Sequence, residues 1–165
     1  MLEGERVRLR PVRPEDRERL TALFSDPEVL RWWGDADESL DDTFDPSPEE
    51  VGYVIESGGE FAGFIQYAEE TEPMYRHAGI DIALAEGWRG RGIGADAIRT
   101  LARYLFEVGG HHRLTIDPAA ANARAIRSYE RLGFRPVGIM RSYERGLDGT
   151  WHDGLLMDLL REELR

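Results

Sequence analysis

The segment Ile82–Gly94 constrains the fold of this chain more than any other stretch. An alternating apolar run breaks at Glu86-Gly87-Trp88 and continues as Arg89-Gly90-Arg91-Gly92-Ile93-Gly94, after which a helical pattern begins. Glycines at every second position let the backbone approach a ligand closely, and a helix N-terminus adds about half a positive charge. The segment therefore predicts a strand, a phosphate-binding loop and a helix in succession.

Length and composition narrow the class of protein. A chain of 165 residues is long enough for one domain, which we expect to span 1–165. The absence of cysteine excludes a thiol nucleophile, a disulfide framework and a cysteine zinc site, and it favours the cytoplasm. No signal-peptide core or run of about 18 apolar residues occurs, so no membrane partner is expected. The four histidines lack metal-ligand spacing, so we expect them on the surface and expect no metal.

The charged residues narrow the chemistry further. All 21 basic residues are arginine, which excludes lysine Schiff bases, pyridoxal phosphate attachment and a Gly-Lys-Ser/Thr phosphate loop. The net charge of −11 argues against a nucleic-acid partner and favours a cationic small molecule. An acidic surface that only keeps the protein soluble is the alternative interpretation.

The periodicities predict an α+β protein. The predicted order is a strand, two helices, three strands, a helix, a strand, a helix and two strands, with a hairpin at Ser57-Gly58-Gly59-Glu60. This order predicts a twisted, mixed and mostly antiparallel sheet of about seven strands, flanked by about four helices. The acidic stretch Asp35–Glu50 is predicted to be a surface loop or a partly helical flap.

Two motifs in this order resemble the GNAT acyl-CoA-dependent N-acetyltransferases. Arg89–Ala95 is similar to the pyrophosphate loop of that family and lies between a predicted strand and helix, as the family requires. Asp117–Phe134 is similar to its helix with the pattern Asn, Ala, Tyr and Gly-Phe. The order of elements agrees over nearly the whole chain. The resemblance implies the GNAT fold and acetyl-CoA as the cofactor.

Within the superfamily, the chain most resembles the aminoglycoside 6′-N-acetyltransferases. The similar positions include Trp32-Trp33-Gly34, Gln66-Tyr67 and Gly79-Ile80-Asp81. The segment Gly149–Met157 departs from that group and is more like enzymes that acetylate peptide N-termini and other amines.

The family likeness also implies a set of cofactor-binding residues. It places the pantetheine arm along a central strand and the diphosphate on the glycine loop. These residues are Ile82, Ala83, Leu84, Arg89, Gly90, Arg91, Gly92, Ile93, Gly94, Ala95, Asn122, Ala125 and Tyr129. The strand residues could equally be core residues without a role in binding. Asn122 could be only a helix cap, although capping and cofactor binding are compatible.

Acetyl transfer to an amine needs a proton acceptor and a proton donor. Asp117 ends a strand before Pro118 and is the expected general base, although it could instead cap a turn. Tyr129 matches the family tyrosine that can protonate the leaving thiolate, although tyrosines at helical spacing often pack in cores.

The expected acceptor wall consists of Trp32, Trp33, Gln66, Tyr67, Asp81 and Asp117. Two adjacent tryptophans cannot both face one core. As an alternative, these side chains could form a satellite hydrophobic cluster under the segment Asp35–Glu50. Asp81 could equally be a solvated strand residue.

The sequence therefore predicts a monomeric or homodimeric N-acetyltransferase acting by direct transfer in a ternary complex. A cationic amine, first of all an aminoglycoside at its 6′-amino group, is the expected acceptor. Peptide N-termini and polyamines are alternatives, and a non-catalytic acyl-CoA-binding module is a rival of another class. A dinucleotide-binding oxidoreductase fits less well, because the glycines lack that fingerprint's longer spacing.

Overall fold

The computed structural model describes residues 1–165, which form eight strands and five α-helices. The strands are β1 (Leu2–Glu3), β2 (Arg8–Pro11), β3 (Glu50–Ser57), β4 (Glu60–Glu70), β5 (His77–Leu84), β6 (Arg113–Ile116), β7 (Arg135–Arg145) and β8 (Trp151–Leu160). The helices are α1 (Arg17–Phe24), α2 (Pro27–Trp33), α3 (Ala36–Phe44), α4 (Ile93–Glu107) and α5 (Ala123–Leu132).

All eight strands belong to one sheet, in the order β1-β2-β3-β4-β5-β6-β8-β7. Only β5 and β6 pair in parallel, and every other neighbouring pair is antiparallel. The mixed, mostly antiparallel sheet confirms the predicted fold class. The predicted number of about seven strands was one too low, because the two-residue β1 carries too little pattern to detect.

The sheet forks between β5 and β6. The two strands pair only at Ala78 with Leu114 and at Gly79 with Thr115. Beyond Ile116 the chain follows β8 instead, where the Leu155 amide donates to the Pro118 carbonyl at 2.9 Å. The second half of β5 therefore lacks a strand partner on this side, and the fork opens a gap in the middle of the sheet.

Two hydrophobic cores cover the two faces of the sheet. The larger contains the apolar stripe of α4, including Ile98, Leu101 and Leu105, packed on β-strand residues such as Ile65 and Ile80. The smaller lies under α1, α2 and α3, and Phe24 and Phe64 make an edge-to-face contact there. Because strand side chains alternate between faces, neighbouring residues of β4 and β5 serve different cores.

The acidic stretch Asp35–Glu50, predicted to be a surface loop or a partly helical flap, contains the helix α3, as the second alternative expected. Asp35 accepts hydrogen bonds from the Asp37 and Glu38 amides at the start of this helix. One local prediction needs correction. His111, expected on the surface, is buried. Its ring can be buried because its Nε2 pairs with Glu69 Oε1 at 2.6 Å. None of the helices combines the length and apolar character needed to span a membrane.

Candidate active site

The glycine loop forms the entrance to the first of two cavities. Gly90 and Gly92 have φ angles of 73° and 80°, which L-residues with side chains rarely adopt. The first hydrogen bond of α4 runs from the Asp96 amide to the Gly92 carbonyl. The amides of Ile93, Gly94 and Ala95 precede it and need partners from outside the helix. This arrangement fits the diphosphate of coenzyme A.

A cavity of about 550 Å³ extends from this loop to the fork. It is bounded by β5, the start of α4, α5 and α2. Eleven of the thirteen predicted cofactor-binding residues line it, namely Ile82, Ala83, Leu84, Arg89, Gly90, Gly92, Gly94, Ala95, Asn122, Ala125 and Tyr129. The exposed half of β5 thus lies where a pantetheine arm could pair with free strand backbone.

Three side chains of the predicted cofactor set are engaged elsewhere. Arg89 donates from Nε to the Leu84 carbonyl at 2.9 Å and forms an ion pair with Asp26 at 2.9 Å. Arg91 donates to the Gly87 carbonyl and stacks on Trp88. Ile93 is buried in the larger core. Only the backbone of Arg91 and Ile93 therefore remains a candidate for cofactor binding.

A second cavity, of about 680 Å³, lies on the face of the sheet that carries α3. We call it the acceptor cleft. Thirteen residues line it, namely Trp33, Gly34, Asp35, Glu38, Ser39, Asp42, Gln66, Asp81, Glu144, Arg145, Gly146, Leu147 and Gly149. Five of them carry carboxylates and one carries a guanidinium, so the cleft favours a cation.

The register of β4 divides the predicted pair Gln66-Tyr67 between the two faces. Gln66 lies opposite Asp81 on β5, and both side chains face the acceptor cleft. Tyr67 points the other way, and its ring is buried in the larger core with 7% exposure. Tyr67 therefore does not line the cleft, and its assignment to the acceptor wall is corrected.

The two tryptophans of α2 also separate. Trp32 lines the cofactor cavity and not the acceptor cleft, whereas Trp33 lines both. Trp33 also packs near Phe24 and Phe64, with ring centroids 5.7 and 6.2 Å away, so the satellite-cluster interpretation holds for this residue as well. The helix α2 forms part of the wall of both cavities.

Asp117 lies just beyond the end of β6, on one arm of the fork. Its Oδ2 accepts a hydrogen bond from the Tyr143 hydroxyl at 2.7 Å. Tyr143 lies within a bulge in β7, where pairing shifts between Met140 and Glu144 and Ser142 has a φ of 48°. The bulge turns Tyr143 and Glu144 toward the fork.

The carboxylates at the fork perturb one another's ionisation. Asp81 borders the solvent of the cleft, but surrounding protein atoms remove much of its hydration. This loss of hydration, together with the charge of Asp117, raises the pKa of Asp81 to about 6. Loss of hydration and the charge of Asp117 also raise the pKa of Glu144. The hydrogen bond to Asp117 raises the pKa of Tyr143 to about 12.

Tyr129 lies between the cofactor cavity and these carboxylates. Burial, with the charges of Asp81 and Asp117, raises the pKa of its hydroxyl above the ordinary value. The hydroxyl therefore stays protonated at neutral pH and has no hydrogen-bond acceptor within the chain to hold it. This protonated hydroxyl lines the cofactor cavity and is available to donate a hydrogen bond there.

The sequence analysis missed the contributions of α3 and β7 to the cleft. Asp35, Glu38 and Asp42 recur at helical spacing, so a helical reading of that stretch would have grouped them on one face. Tyr143 and Glu144 carried no comparable signal, because only the bulge of β7 brings them to the fork.

The fold, the glycine loop and the fork together define an acyl-CoA-dependent acetyltransferase. The family model of the GNAT acetyltransferase domain matches residues 6–135, and the chain belongs to this family. It is an N-acetyltransferase that uses acetyl-CoA as its donor.

Relatives of known activity extend this assignment to amines. The chain is 32% identical over 156 residues to the aminoglycoside N(6′)-acetyltransferase type 1 of Klebsiella pneumoniae, covering 82% of this chain and 77% of that protein. It is 26% identical over 164 residues to the spermidine N(1)-acetyltransferase of Escherichia coli K12, covering 95% and 87%. The spermidine N-acetyltransferase of Vibrio cholerae, solved with CoA and spermine, shares the fold with a TM-score of 0.81 at 21% identity, covering 97% and 98%.

Proposed function

We propose that this enzyme acetylates a polycationic amine and that an aminoglycoside, at its 6′-amino group, is the foremost acceptor. The observation that carries the proposal is the acceptor cleft, where carboxylates from α3, β5 and β7 surround one space beside the cofactor cavity. Several separated carboxylates match a ligand with several separated ammonium groups. In the cytoplasm, such an activity would confer resistance to the antibiotic.

The fork supplies the groups that the reaction requires. Acetyl-CoA, when bound, supplies an activated acetyl group as a thioester. We propose that Asp81 holds the ammonium of the acceptor and that Asp117, oriented by Tyr143, removes its proton directly or through water. Tyr129 then donates its proton to the departing thiolate. The thiolate leaves readily because the pKa of the corresponding thiol is low, about 8.5. The transfer is direct, within a ternary complex.

A polyamine is the second candidate acceptor. It is favoured by the similarity to spermidine N(1)-acetyltransferase along 95% of the chain and by the same acidic cleft. The volume of about 680 Å³ and the placement of charge on three sides favour a branched, ring-containing cation over a linear one. A peptide N-terminus would present a single charge to this cleft, so it is the weaker match.

Steady-state kinetics with kanamycin, spermidine and a short peptide separate these candidates. Each acceptor is titrated at saturating acetyl-CoA, and the released thiol is measured with a disulfide reagent, to which a chain without cysteine adds no background. We expect kcat/KM to be highest for kanamycin. Higher kcat/KM for spermidine would transfer the assignment to polyamines, and turnover of the peptide alone would refute the polycation proposal.

A charge series on α3 tests the role of the cleft. Asp42→Asn removes a carboxylate that lines the cleft, and Asp41→Asn is the matched control because Asp41 is exposed on the same helix outside it. We expect Asp42→Asn to raise the KM of the acceptor about two- to fivefold, as for a solvated ion pair, without changing kcat. Equal effects of both substitutions would mean that only the overall charge matters.

A further inference from the structure

The arginines around the cofactor cavity differ in whether they already have partners. Four arginines line the cavity, namely Arg89, Arg99, Arg124 and Arg131. Arg89 is held by the Leu84 carbonyl and Asp26. Arg99 donates to the Arg165 carbonyl at 2.9 Å and lies 3.7 Å from Asp96. Arg124 and Arg131 form no hydrogen bond or ion pair within the chain.

Of the two free arginines, Arg124 lies at the glycine loop. A methyl group built on Gly90 would be 3.6 Å from Nη2 of Arg124, so the Arg124 guanidinium lies beside the backbone of the glycine loop. Arg131 is seven residues further along the helix, which corresponds to about 10 Å along its axis. The loop amides and the Arg124 guanidinium therefore converge on one place.

The position of Arg124 in its helix is unfavourable for stability. It is the second residue of α5, and the positive end of the helix dipole disfavours a cation in the first turn. No carboxylate offsets this repulsion, although the chain has 32 acidic residues. An anion bound at the loop would turn the repulsion into attraction.

We infer that Arg124 is the cationic residue that binds the diphosphate of coenzyme A. The sequence analysis placed the diphosphate on the glycine loop and included Arg89 and Arg91 in the cofactor-binding set, but the side chains of these two arginines hold the loop in shape. Arg89 stabilises the loop through Asp26 and Leu84, and Arg124 contacts the ligand from the opposite wall. A guanidinium suits this task because it donates two parallel hydrogen bonds to phosphate oxygens.

The test is titration calorimetry of the full-length protein with CoA and with 3′-dephospho-CoA, which keeps the diphosphate. The variants are Arg124→Gln and the control Arg127→Gln, which removes an exposed arginine of the same helix that does not line the cavity. We expect Arg124→Gln to weaken binding of both ligands about tenfold to hundredfold, because a charged hydrogen bond is lost. Arg127→Gln should change neither by more than about twofold.

Each other outcome overturns the inference. Equal effects of the two substitutions would show that only general charge acts on the cofactor. A loss seen with CoA but not with 3′-dephospho-CoA would place the partner of Arg124 at the 3′-phosphate. The thermal midpoint provides a check on folding, since Arg124→Gln should leave it unchanged or raise it, whereas Arg89→Gln should lower it.

Discussion

Two carboxylate-rich regions of the molecule contrast in how their charges are balanced. Near the start of the sheet, Asp16 accepts two hydrogen bonds from Arg10 at 2.7 Å and one from the Arg13 amide at 2.8 Å, and Glu56 contacts the same guanidinium at 2.6 Å. In the acceptor cleft, five carboxylates share the space with one arginine. The charges of the first group are balanced within the chain, whereas the second group has more carboxylates than cations.

The two regions also shift pKa values in opposite directions. The hydrogen bonds from Arg10 lower the pKa of Asp16, although burial opposes them. Loss of hydration and the charge of Asp117 raise the pKa of Asp81 to about 6. A carboxylate that has its own cation stabilises the fold, whereas one that lacks a cation lowers stability and, under the proposed function, is the one that binds the ammonium of the acceptor. Four substitutions test this comparison, in order of decreasing expected effect.

Asp117→Asn should lower kcat about 10²- to 10⁴-fold, because the amide cannot accept the proton of the ammonium. Calorimetry should give an unchanged Kd for CoA, and the thermal midpoint should not fall. Retention of more than a third of the activity would exclude Asp117 as the base and leave that role to Asp81 or to solvent.

Asp16→Ala should lower the free energy of unfolding by about 3–5 kcal/mol, because Arg10 is left buried without its principal partner. Urea unfolding at pH 7 measures this change, with Glu18→Ala on α1 as an exposed control expected to stay within about 0.5 kcal/mol. Activity per folded molecule should be preserved. A loss below about 1 kcal/mol would mean that this group is no better balanced than the cleft.

Tyr129→Phe should lower kcat about tenfold to hundredfold and leave the Kd of CoA nearly unchanged, because only the proton donor is removed. Tyr67→Phe is the matched control, since that hydroxyl lies in the core away from both cavities. If the two substitutions slow turnover equally, the role of Tyr129 is packing.

Asp81→Asn should raise the free energy of unfolding at pH 7 by about 1 kcal/mol, a value discounted for the exposure of this group. The folded-state pKa lies above the unfolded value, so the wild type loses stability as pH rises between about 4 and about 6. The difference in the free energy of unfolding between variant and wild type should grow across that window and vanish below it.

In activity, the wild-type kcat/KM should rise through about pH 6, and the variant should lack that step. A pH-independent stability difference would contradict the assignment.

Local sequence patterns correctly predicted the backbone elements that border the cofactor cavity. The glycine loop, the Asn122 cap that accepts from the Ala125 amide, and Gly133 with its φ of 107° all depend on neighbouring residues. Tyr67 was misplaced because two adjacent strand residues were assigned to one wall, against the period of two. The acceptor half depends on the packing of α3 against α1 and on the bulge of β7, which are tertiary features that no short window encodes.

The helix α2 has a practical consequence for experiments on this enzyme. Because Trp32 borders only one chamber and Trp33 touches both, two adjacent indoles experience different surroundings. The chain has four tryptophans, so replacing Trp88, Trp151 and one of this pair with phenylalanine would leave the other as the only indole. Emission from the version that keeps Trp32 could then follow donor loading alone, and emission from the version that keeps Trp33 could follow donor and acceptor loading together, without any attached dye.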